Sequence, residues 1–207
     1  MNIAAHKNVT LRGSPLAPSA VPATWRSIMP ALCALLEEAN GMVLHHGLFR
    51  VFGMGDTCAC RNALSWNRAE WRQAFGLPES IVLWGENVFG DQFGVESGSG
   101  LVVRLSCEGG RLDRLPYRSP CEQIESMLLE DPRTWIEADL VSAAFRRGLR
   151  PLPTEHLSFE VPLVCGGTAA EDNLEVLDGG AHMDVLGQIV EQNRGVPEGT
   201  RIGGVRG

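Results

Sequence analysis

The chain has 207 residues, of which 44% are hydrophobic, and a formal net charge of −7. This length and apolar content suit one globular domain with a substantial core, and the negative charge disfavours a nucleic-acid partner. No apolar run approaches the roughly 18–20 residues of a membrane helix. The N-terminus lacks a continuous apolar segment of the kind found in secretion signals, so we expect a cytoplasmic protein.

The first half of the chain predicts an irregular arm followed by helix and strand. Residues 1–23 lack periodicity, although Val9 and Leu11 alternate with polar neighbours in a way that allows strand pairing. A short turn is expected at 24–28, then a helix from Pro30 to the Asn40-Gly41 stop. Residues 48–52 read as a strand, and residues 65–75 as a short helix capped by Ser65.

The second half predicts consecutive strands and then helices. Apolar runs at 81–84, around Val95, at 101–106 and at 111–115 are separated by short turns, which favours an antiparallel meander. A helix is expected from Ser119-Pro120 to Asp131-Pro132, and a second from that pair to Gly148. A strand at 157–165 and a last amphipathic helix around 183–190 follow, and we expect the glycine-rich tail after Gly195 to fray.

These elements together predict an α+β fold. We expect a central antiparallel twisted sheet flanked by helices, with a C-terminal strand-helix extension. The predicted organisation is an irregular N-terminal arm (1–23), an α+β domain (24–150) and an acidic C-terminal extension packed on that domain (151–207).

Cysteines and histidines give no convincing metal site. The six cysteines are predicted to be reduced thiols, mostly buried as small hydrophobes, because a chain of this size does not need disulfide staples. Cys58 and Cys60 form a C-x-C pair, but no second pair follows at zinc-ribbon spacing. The five histidines are predicted to lie at the surface or in turns, and we expect neither a metal nor a cofactor.

Catalytic templates each lack a requirement. Gly85, Gly90 and Gly94 are not followed by Lys-Ser or Lys-Thr and a helix, so they indicate turns rather than a phosphate loop. An enzyme built on Glu86, Asp91 and the pair His45-His46 is the least favoured hypothesis, and it requires these side chains to converge in one deep pocket.

Charge is distributed unevenly along the chain. Residues 151–193 contain no Lys or Arg but eight acidic residues, which favours a basic partner, although an ordinary solvated surface would have the same composition. The candidate partner-binding residues in this segment are Glu171, Asp172, Glu175, Asp178 and Asp184.

One stretch resembles a known family. The sequence LCALLEEANG, then WGENVFGDQFGV and the strand GLVVRL, resembles the SUKH superfamily, which includes the Smi/Knr-type regulators of cell-wall synthesis and many bacterial immunity proteins. The resemblance covers roughly residues 24–130, and the segment from Pro153 looks like the C-terminal extension of immunity proteins tied to type VI secretion toxins. It implies an α+β fold and a non-catalytic role, with structural motif residues at Trp84, Gly85, Phe89, Gly90, Phe93 and Gly94.

Two functional hypotheses follow from the resemblance and the charge. The first is an immunity protein that binds a cognate toxin, of the nuclease or deaminase type and basic in charge, through the acidic surface. The alternative is an intracellular scaffold or regulator of the Smi/Knr kind that binds several protein partners.

Overall fold

The computed structural model describes residues 1–196, and the expected frayed tail lies almost wholly outside that part. Seven strands form one antiparallel sheet in sequence order, each paired with its neighbour along the chain. The strands of this main sheet are β1 (Val9–Arg12), β2 (Met42–Leu44), β3 (Phe49–Val51), β4 (Ile81–Asn87), β5 (Gln92–Glu96), β6 (Val102–Ser106) and β7 (Arg111–Arg114). The predicted meander is therefore confirmed and extends over more strands than the apolar runs indicated.

Helices flank the sheet, and a smaller sheet of two antiparallel strands lies near the C-terminus. The α+β fold class, with its antiparallel sheet and C-terminal extension, is confirmed. The helices are α1 (Ala23–Ile28), α2 (Pro30–Glu38), α3 (Ala63–Trp66), α4 (Trp71–Ala74), α5 (Pro120–Leu129), α6 (Ala138–Arg146) and α7 (Gly179–Gln192), and the small sheet consists of β8 (Glu155–Phe159) and β9 (Leu174–Asp178).

Local rules explain several helix ends. Pro30 occupies the first turn of α2, where its missing N–H costs nothing, and α1 ends one residue before Met29. The Ser119 hydroxyl accepts from the Glu122 N–H at 3.2 Å and caps α5 as expected. Gly41, after α2, has φ +83°, the left-handed conformation predicted for this stop.

The N-terminal residues are not wholly irregular. Strand β1 forms one edge of the main sheet, in the pairing that the alternation of Val9 and Leu11 allows. Ile3 and Ala4 are also buried in the main core. This burial ties the segment to the domain, since an arm without apolar contacts would have no reason to order.

The predicted single helix at 65–75 is wrong, because the chain forms two short helices with a break between them. Asn62, rather than Ser65, caps α3 by accepting from the Leu64 N–H. Asn67 ends α3 and bonds to both backbone groups of Leu83, donating to its oxygen and accepting from its N–H, each at 2.8 Å. The Asn67 amide thus satisfies two backbone groups of Leu83 that a neighbouring strand would otherwise pair with, because β3 has already ended at this point. These bonds hold Asn67 in place and account for the break between α3 and α4.

The C-terminal strand is also shifted from its prediction. Strand β8 ends at Phe159, because Pro162 begins a short 3-10 turn over Leu163–Cys165. Its partner β9 was not predicted. The two strands pack one face on α6 in a second apolar cluster that includes Val88, Val141 and Leu157.

Helix α7 attaches the C-terminal extension to the main domain. A Cβ at Gly187 would lie 3.0 Å from the Ala74 Cβ, so α7 approaches α4 closely. Met183 and Leu186 of α7 are buried in the main core. None of the helices in residues 1–196 is long and apolar enough to cross a membrane.

We predict that Asn67→Ala lowers the free energy of unfolding by about 1–3 kcal/mol, because two backbone groups of Leu83 lose their partner. Urea denaturation measures the change. Ser65→Ala is the control, since its exposed hydroxyl bonds only to the Asn62 carbonyl and the substitution should cost less than about 0.5 kcal/mol. Equal effects of the two substitutions would contradict this account of the break.

Candidate functional site

A cluster of charged side chains lies buried between the main sheet and the C-terminal extension. Glu86 on β4 is directly opposite Arg50 on β3, and both are completely buried. Arg61, from the loop before α3, and His156, from β8, complete the first contacts of the carboxylate. We call these residues, with His182 of α7, the Glu86 cluster.

Arg61 is the principal partner of Glu86. Its Nε lies 3.1 Å and 3.0 Å from the two carboxylate oxygens, and its Nη2 donates to Oε1 at 3.0 Å. Arg50 is a looser partner, with Nη1 3.5 Å from Oε1. Gln92 donates to Oε2 at 3.2 Å, and Trp66 fixes the Gln92 amide by donating to its oxygen at 2.7 Å. Every bond to the carboxylate thus comes from a donor that is itself held in place.

The arginines also bind the backbone of the C-terminal extension. Arg50 Nη2 donates to the Leu152 carbonyl at 3.2 Å, and Arg61 Nη2 donates to the Thr154 carbonyl at 3.1 Å. A Cβ at Gly179 would lie 2.2 Å from Arg61 Nη2, so only glycine leaves room for the guanidinium there. The contacts of the cluster therefore hold residues 152–156 and the start of α7 against the main sheet.

Two buried histidines continue the cluster away from Glu86. His156 Nε2 lies 3.2 Å from Glu86 Oε2, and His156 Nδ1 lies 3.0 Å from His182 Nδ1. Burial lowers the pKa of His156, and burial together with His156 lowers the pKa of His182 to about 3. Both rings are therefore neutral near pH 7. One consistent arrangement has His182 donating to His156 and His156 donating to Glu86.

The charge of the cluster does not cancel. Burial alone would raise the pKa of the Glu86 carboxyl, but the hydrogen bond from His156 and the positive charges of Arg61 and Arg50 bring it well below its usual value. Glu86 is therefore ionised, and the two guanidiniums are charged because arginine stays protonated in proteins. With both histidines neutral, two positive charges face one negative charge, which leaves the cluster with a net charge of +1.

The predicted catalytic residues do not converge. Glu86 is buried in its ion pairs, whereas the Asp91 carboxylate accepts from Asn87 and from the Cys107 N–H. His45 and His46 lie in the turn between β2 and β3 and line a separate cavity. The hypothesis of an enzyme built on these four residues required one shared pocket, and the structure does not provide it.

The prediction that all histidines lie at the surface or in turns is wrong for His156 and His182, which are 0% and 2% exposed. The residues next to them in the sequence did not indicate a buried charged cluster, because Glu86 and Arg61 lie far away along the chain. The sequence pattern that could have pointed to burial is the position of His182 beside Met183, at the start of the apolar face of α7.

Four of the five predicted acidic residues lie on β9 or in the turn before it. Glu171 and Asp172 lie in an exposed 3-10 turn before the strand, and Glu171 Oε2 is 4.0 Å from Arg146. Glu175 is a half-exposed residue on β9, and Asp178 accepts from the Ala181 N–H and caps α7. The fifth residue, Asp184, is exposed on α7. The five residues thus lie on a turn, a strand and a helix rather than on one element.

Two of the three motif glycines lie within strands rather than in the predicted turns. Only Gly90 lies in a turn, with φ +91°, and a Cβ there would lie 2.8 Å from His156 Nδ1. Gly85 and Gly94 lie within β4 and β5, where a Cβ would come 2.8 Å from the Arg50 carbonyl and from the Ile81 side chain, respectively. The prediction of turn glycines is therefore wrong for these two.

The aromatic motif residues pack in two places. Trp84 and Phe93 pack with Phe49, with the Phe49 and Phe93 ring centroids 4.9 Å apart. Phe89 instead stacks on Phe159 of β8, with ring centroids 6.0 Å apart and an interplanar angle of 6°. The motif hairpin thus also contacts the C-terminal extension.

All six cysteines are free thiols, as predicted, but only Cys33, Cys60 and Cys107 are buried. The thiols of Cys58 and Cys60 donate to backbone carbonyls, at 3.0 Å and 2.9 Å. Burial, with the nearby Glu86 charge, raises the pKa of Cys60 to about 12. Cys60 is thus an unreactive thiol beside the Glu86 cluster.

A cavity of about 620 Å³ opens beside the β2–β3 turn. His45 and His46 have φ of +48° and +58°, a left-handed conformation that costs roughly 1–2 kcal/mol per non-glycine residue. Paired residues Leu44 and Phe49 flank this tight turn, which accounts for the conformation. We call this space the cationic cavity, and it is lined by His45, His46, Leu48, Asp131, Pro132, Arg133, Ala138, Val141, Ser142, Phe145, Arg150 and Pro151.

Comparison with known proteins supports the fold and nothing finer. The chain is similar to the crystal structure of Atu4351 from Agrobacterium tumefaciens, with a TM-score of 0.65 and 13% sequence identity. The similarity covers 90% of this chain and 87% of that chain. No family model matches the sequence, and no curated protein matches it significantly. At this identity the likeness shows a shared fold alone.

We predict that Glu86→Gln lowers the free energy of unfolding by about 3–5 kcal/mol, because it leaves two buried guanidiniums without a counter-charge. Chemical denaturation at pH 7 measures the loss. Glu70→Gln, at an exposed position between α3 and α4, is the matched control and should change stability by less than about 0.5 kcal/mol. If Glu86→Gln lowers the free energy of unfolding by no more than about 1 kcal/mol beyond the control, the cluster does not have the central role assigned to it.

We also predict that stability falls in mild acid. The pKa of His182 is about 3 in the folded protein and about 6.5 when exposed, so its contribution is fully present above pH 6.5 and is lost as the pH falls toward 3. Denaturation midpoints measured between pH 8 and pH 4 should decline below pH 6.5. The denaturation midpoint of His182→Gln should decline less steeply than that of the wild type. The midpoint of His6→Gln, which lies outside the cluster, should decline as steeply as that of the wild type. Parallel curves for all three proteins would contradict the prediction.

Proposed function

We propose that this protein is a non-catalytic binding protein of the SUKH immunity type, which neutralises a cognate bacterial toxin of the nuclease or deaminase class by direct binding. The sequence resemblance over Val88–Gly94 motivates the family, and an antiparallel sheet flanked by helices is the fold that this family implies. The observation that carries the proposal is a surface on the C-terminal extension.

This surface is the loop between β8 and β9, residues 160–173, which we call the acidic loop. Val161, Leu163 and Val164 are 49%, 36% and 37% exposed, so three apolar side chains face solvent close together in sequence. Glu160, Glu171 and Asp172 are exposed at the two ends of the loop. Apolar residues bordered by charges are the arrangement expected of a protein interface.

The loop is held in shape without a partner. Asn173 accepts from the Val161 N–H and donates to the carbonyls of Val161 and Thr168, each at 2.9 Å. The Glu108 carboxylate, from the β6–β7 turn, accepts from the Leu163 N–H at 2.9 Å. A surface that is already ordered loses less conformational entropy on binding, which favours affinity.

The sign of the charge selects the partner. Residues 151–193 contain no Lys or Arg, so the acidic loop and the predicted contact residues Glu175, Asp178 and Asp184 contribute only negative charge, and Arg146 of α6 lies 4.0 Å from Glu171. Opposite charge accelerates association, and a basic toxin domain meets that condition. The burial of Glu86 in its ion pairs supports a role other than catalysis for that carboxylate.

The test measures binding between this protein and the inactivated product of any toxin gene encoded beside its own, by surface plasmon resonance at two salt concentrations. We expect a one-to-one complex whose association slows with salt, and growth protection when both proteins are expressed together. The variant Glu160→Gln, Glu171→Gln, Asp172→Asn should slow association about tenfold. Val164→Asp should speed dissociation, because it puts a charge in the apolar centre of the loop.

The matched control is Glu38→Gln, Glu70→Gln, Glu79→Gln, which removes the same charge from exposed positions elsewhere. It should retain the association rate of the wild type to within about twofold, because distant surface charges are screened. Equal slowing by both triple variants would contradict the loop as the contact surface. Absence of both binding and protection would overturn the immunity role, and binding to several non-toxin proteins would favour the scaffold alternative.

A further inference from the structure

The cationic cavity carries an inference that is independent of the acidic loop. Its volume of about 620 Å³ lies within the range of roughly 300–1,000 Å³ typical of small-molecule sites. Leu48, Val141 and Phe145 supply an apolar wall. His46, Arg133 and Arg150 supply polar and positive groups at the same opening.

The charges around this cavity are not balanced by its own carboxylate. Asp131 is the acidic residue in the lining, and it is engaged by Arg133 through both carboxylate oxygens. Arg150 instead lies over the Phe145 ring, with its guanidinium carbon 4.3 Å from the centroid. In the part of the chain that the structure describes, no carboxylate lies within salt-bridge distance of Arg150.

A second observation points to an anion. A smaller cavity of about 260 Å³ shares His46 and Pro151 with the cationic cavity and is lined in part by Arg50. Arg50 is fully buried, and its Nε has no hydrogen-bond partner. Because the Glu86 cluster has a net charge of +1, an anion near the junction at His46 would satisfy an unbalanced buried charge.

We propose that the cationic cavity binds a small organic anion, namely a carboxylate carried on an aromatic or aliphatic body. The body packs on Leu48, Val141 and Phe145, and the carboxylate lies at the junction near His46 and Arg150. The guanidinium of Arg150 is the specific partner, because its planar donors match the two carboxylate oxygens. Arg50 contributes positive potential from behind the junction.

The occupant differs from the partner of the acidic loop. That partner is basic under the proposed function, and a basic surface would be repelled from Arg133 and Arg150. The cavity is also lined by a turn, a helix face and a loop rather than by an open strand edge, so it suits a compact ligand. The inference therefore stands whether or not the toxin is found.

The test compares two probes of the same shape and different charge. Isothermal titration of the full-length protein with 2-naphthoate and with the neutral 2-naphthamide separates apolar packing from charge recognition. We expect 2-naphthoate to bind at least about tenfold more tightly, and Arg150→Gln to remove most of that difference. Arg147→Gln, an exposed arginine directly after α6 and outside the cavity lining, is the matched control and should retain the difference.

A second pair of variants does not depend on the arginine. Ser142→Trp places a bulky ring in the cavity from an exposed position on α6 and should abolish binding of both probes, whereas Ser142→Ala should bind like the wild type. Circular dichroism establishes that each variant is folded. Absence of 2-naphthoate binding at millimolar concentration, equal affinity for the two probes, or unchanged binding in Ser142→Trp would each overturn the proposal.

Discussion

The buried ion pairs of the Glu86 carboxylate with two arginines, together with its contact to a histidine, hold the parts of this protein in their relative positions. A charge in the interior is tolerated only when donors surround it, and Glu86 receives them from Arg61, Arg50, His156 and Gln92. These donors belong to separate parts of the chain. Their convergence fixes how the main sheet, the loop before α3 and the C-terminal extension fit together.

This constraint also explains features that look unrelated along the sequence. Gly90 and Gly179 are required because His156 and the Arg61 guanidinium occupy the space of a side chain. The carbonyls of Leu152 and Thr154 are held by the same arginines that neutralise Glu86. The cluster therefore specifies how the C-terminal extension sits on the main sheet, through the geometry of its hydrogen bonds. It adds little net stability, since a buried ion pair gives little compared with apolar packing.

The molecule has two candidate binding surfaces of opposite charge. The acidic loop offers exposed valine and leucine bordered by carboxylates, and its shape is held by Asn173 and Glu108. The cationic cavity instead places Arg150 and His46 beside an apolar wall. A basic protein suits the first and a small anion suits the second, so the two proposals can be tested separately.

Elements with local signals are predictable from the amino-acid sequence. The Pro30 and Ser119-Pro120 helix starts, the Gly41 stop and the meander after Ile81 depend on caps, left-handed glycines and short turns, which neighbouring residues specify. The exposed acidic segment was likewise evident, because charge composition needs no coordinates. The α+β class followed from the order of these elements.

Features that depend on contacts between residues far apart in the sequence are visible only in the folded protein. The break at Asn67 exists because its amide pairs with Leu83 where β3 has ended, and β9 is a strand because β8 lies beside it. The burial of His156 and His182, the pairing of Glu86 with Arg61 and the lining of the cationic cavity combine groups from separate segments. A local sequence pattern does not predict these tertiary contacts, because the free energy that stabilises them comes from long-range packing and desolvation.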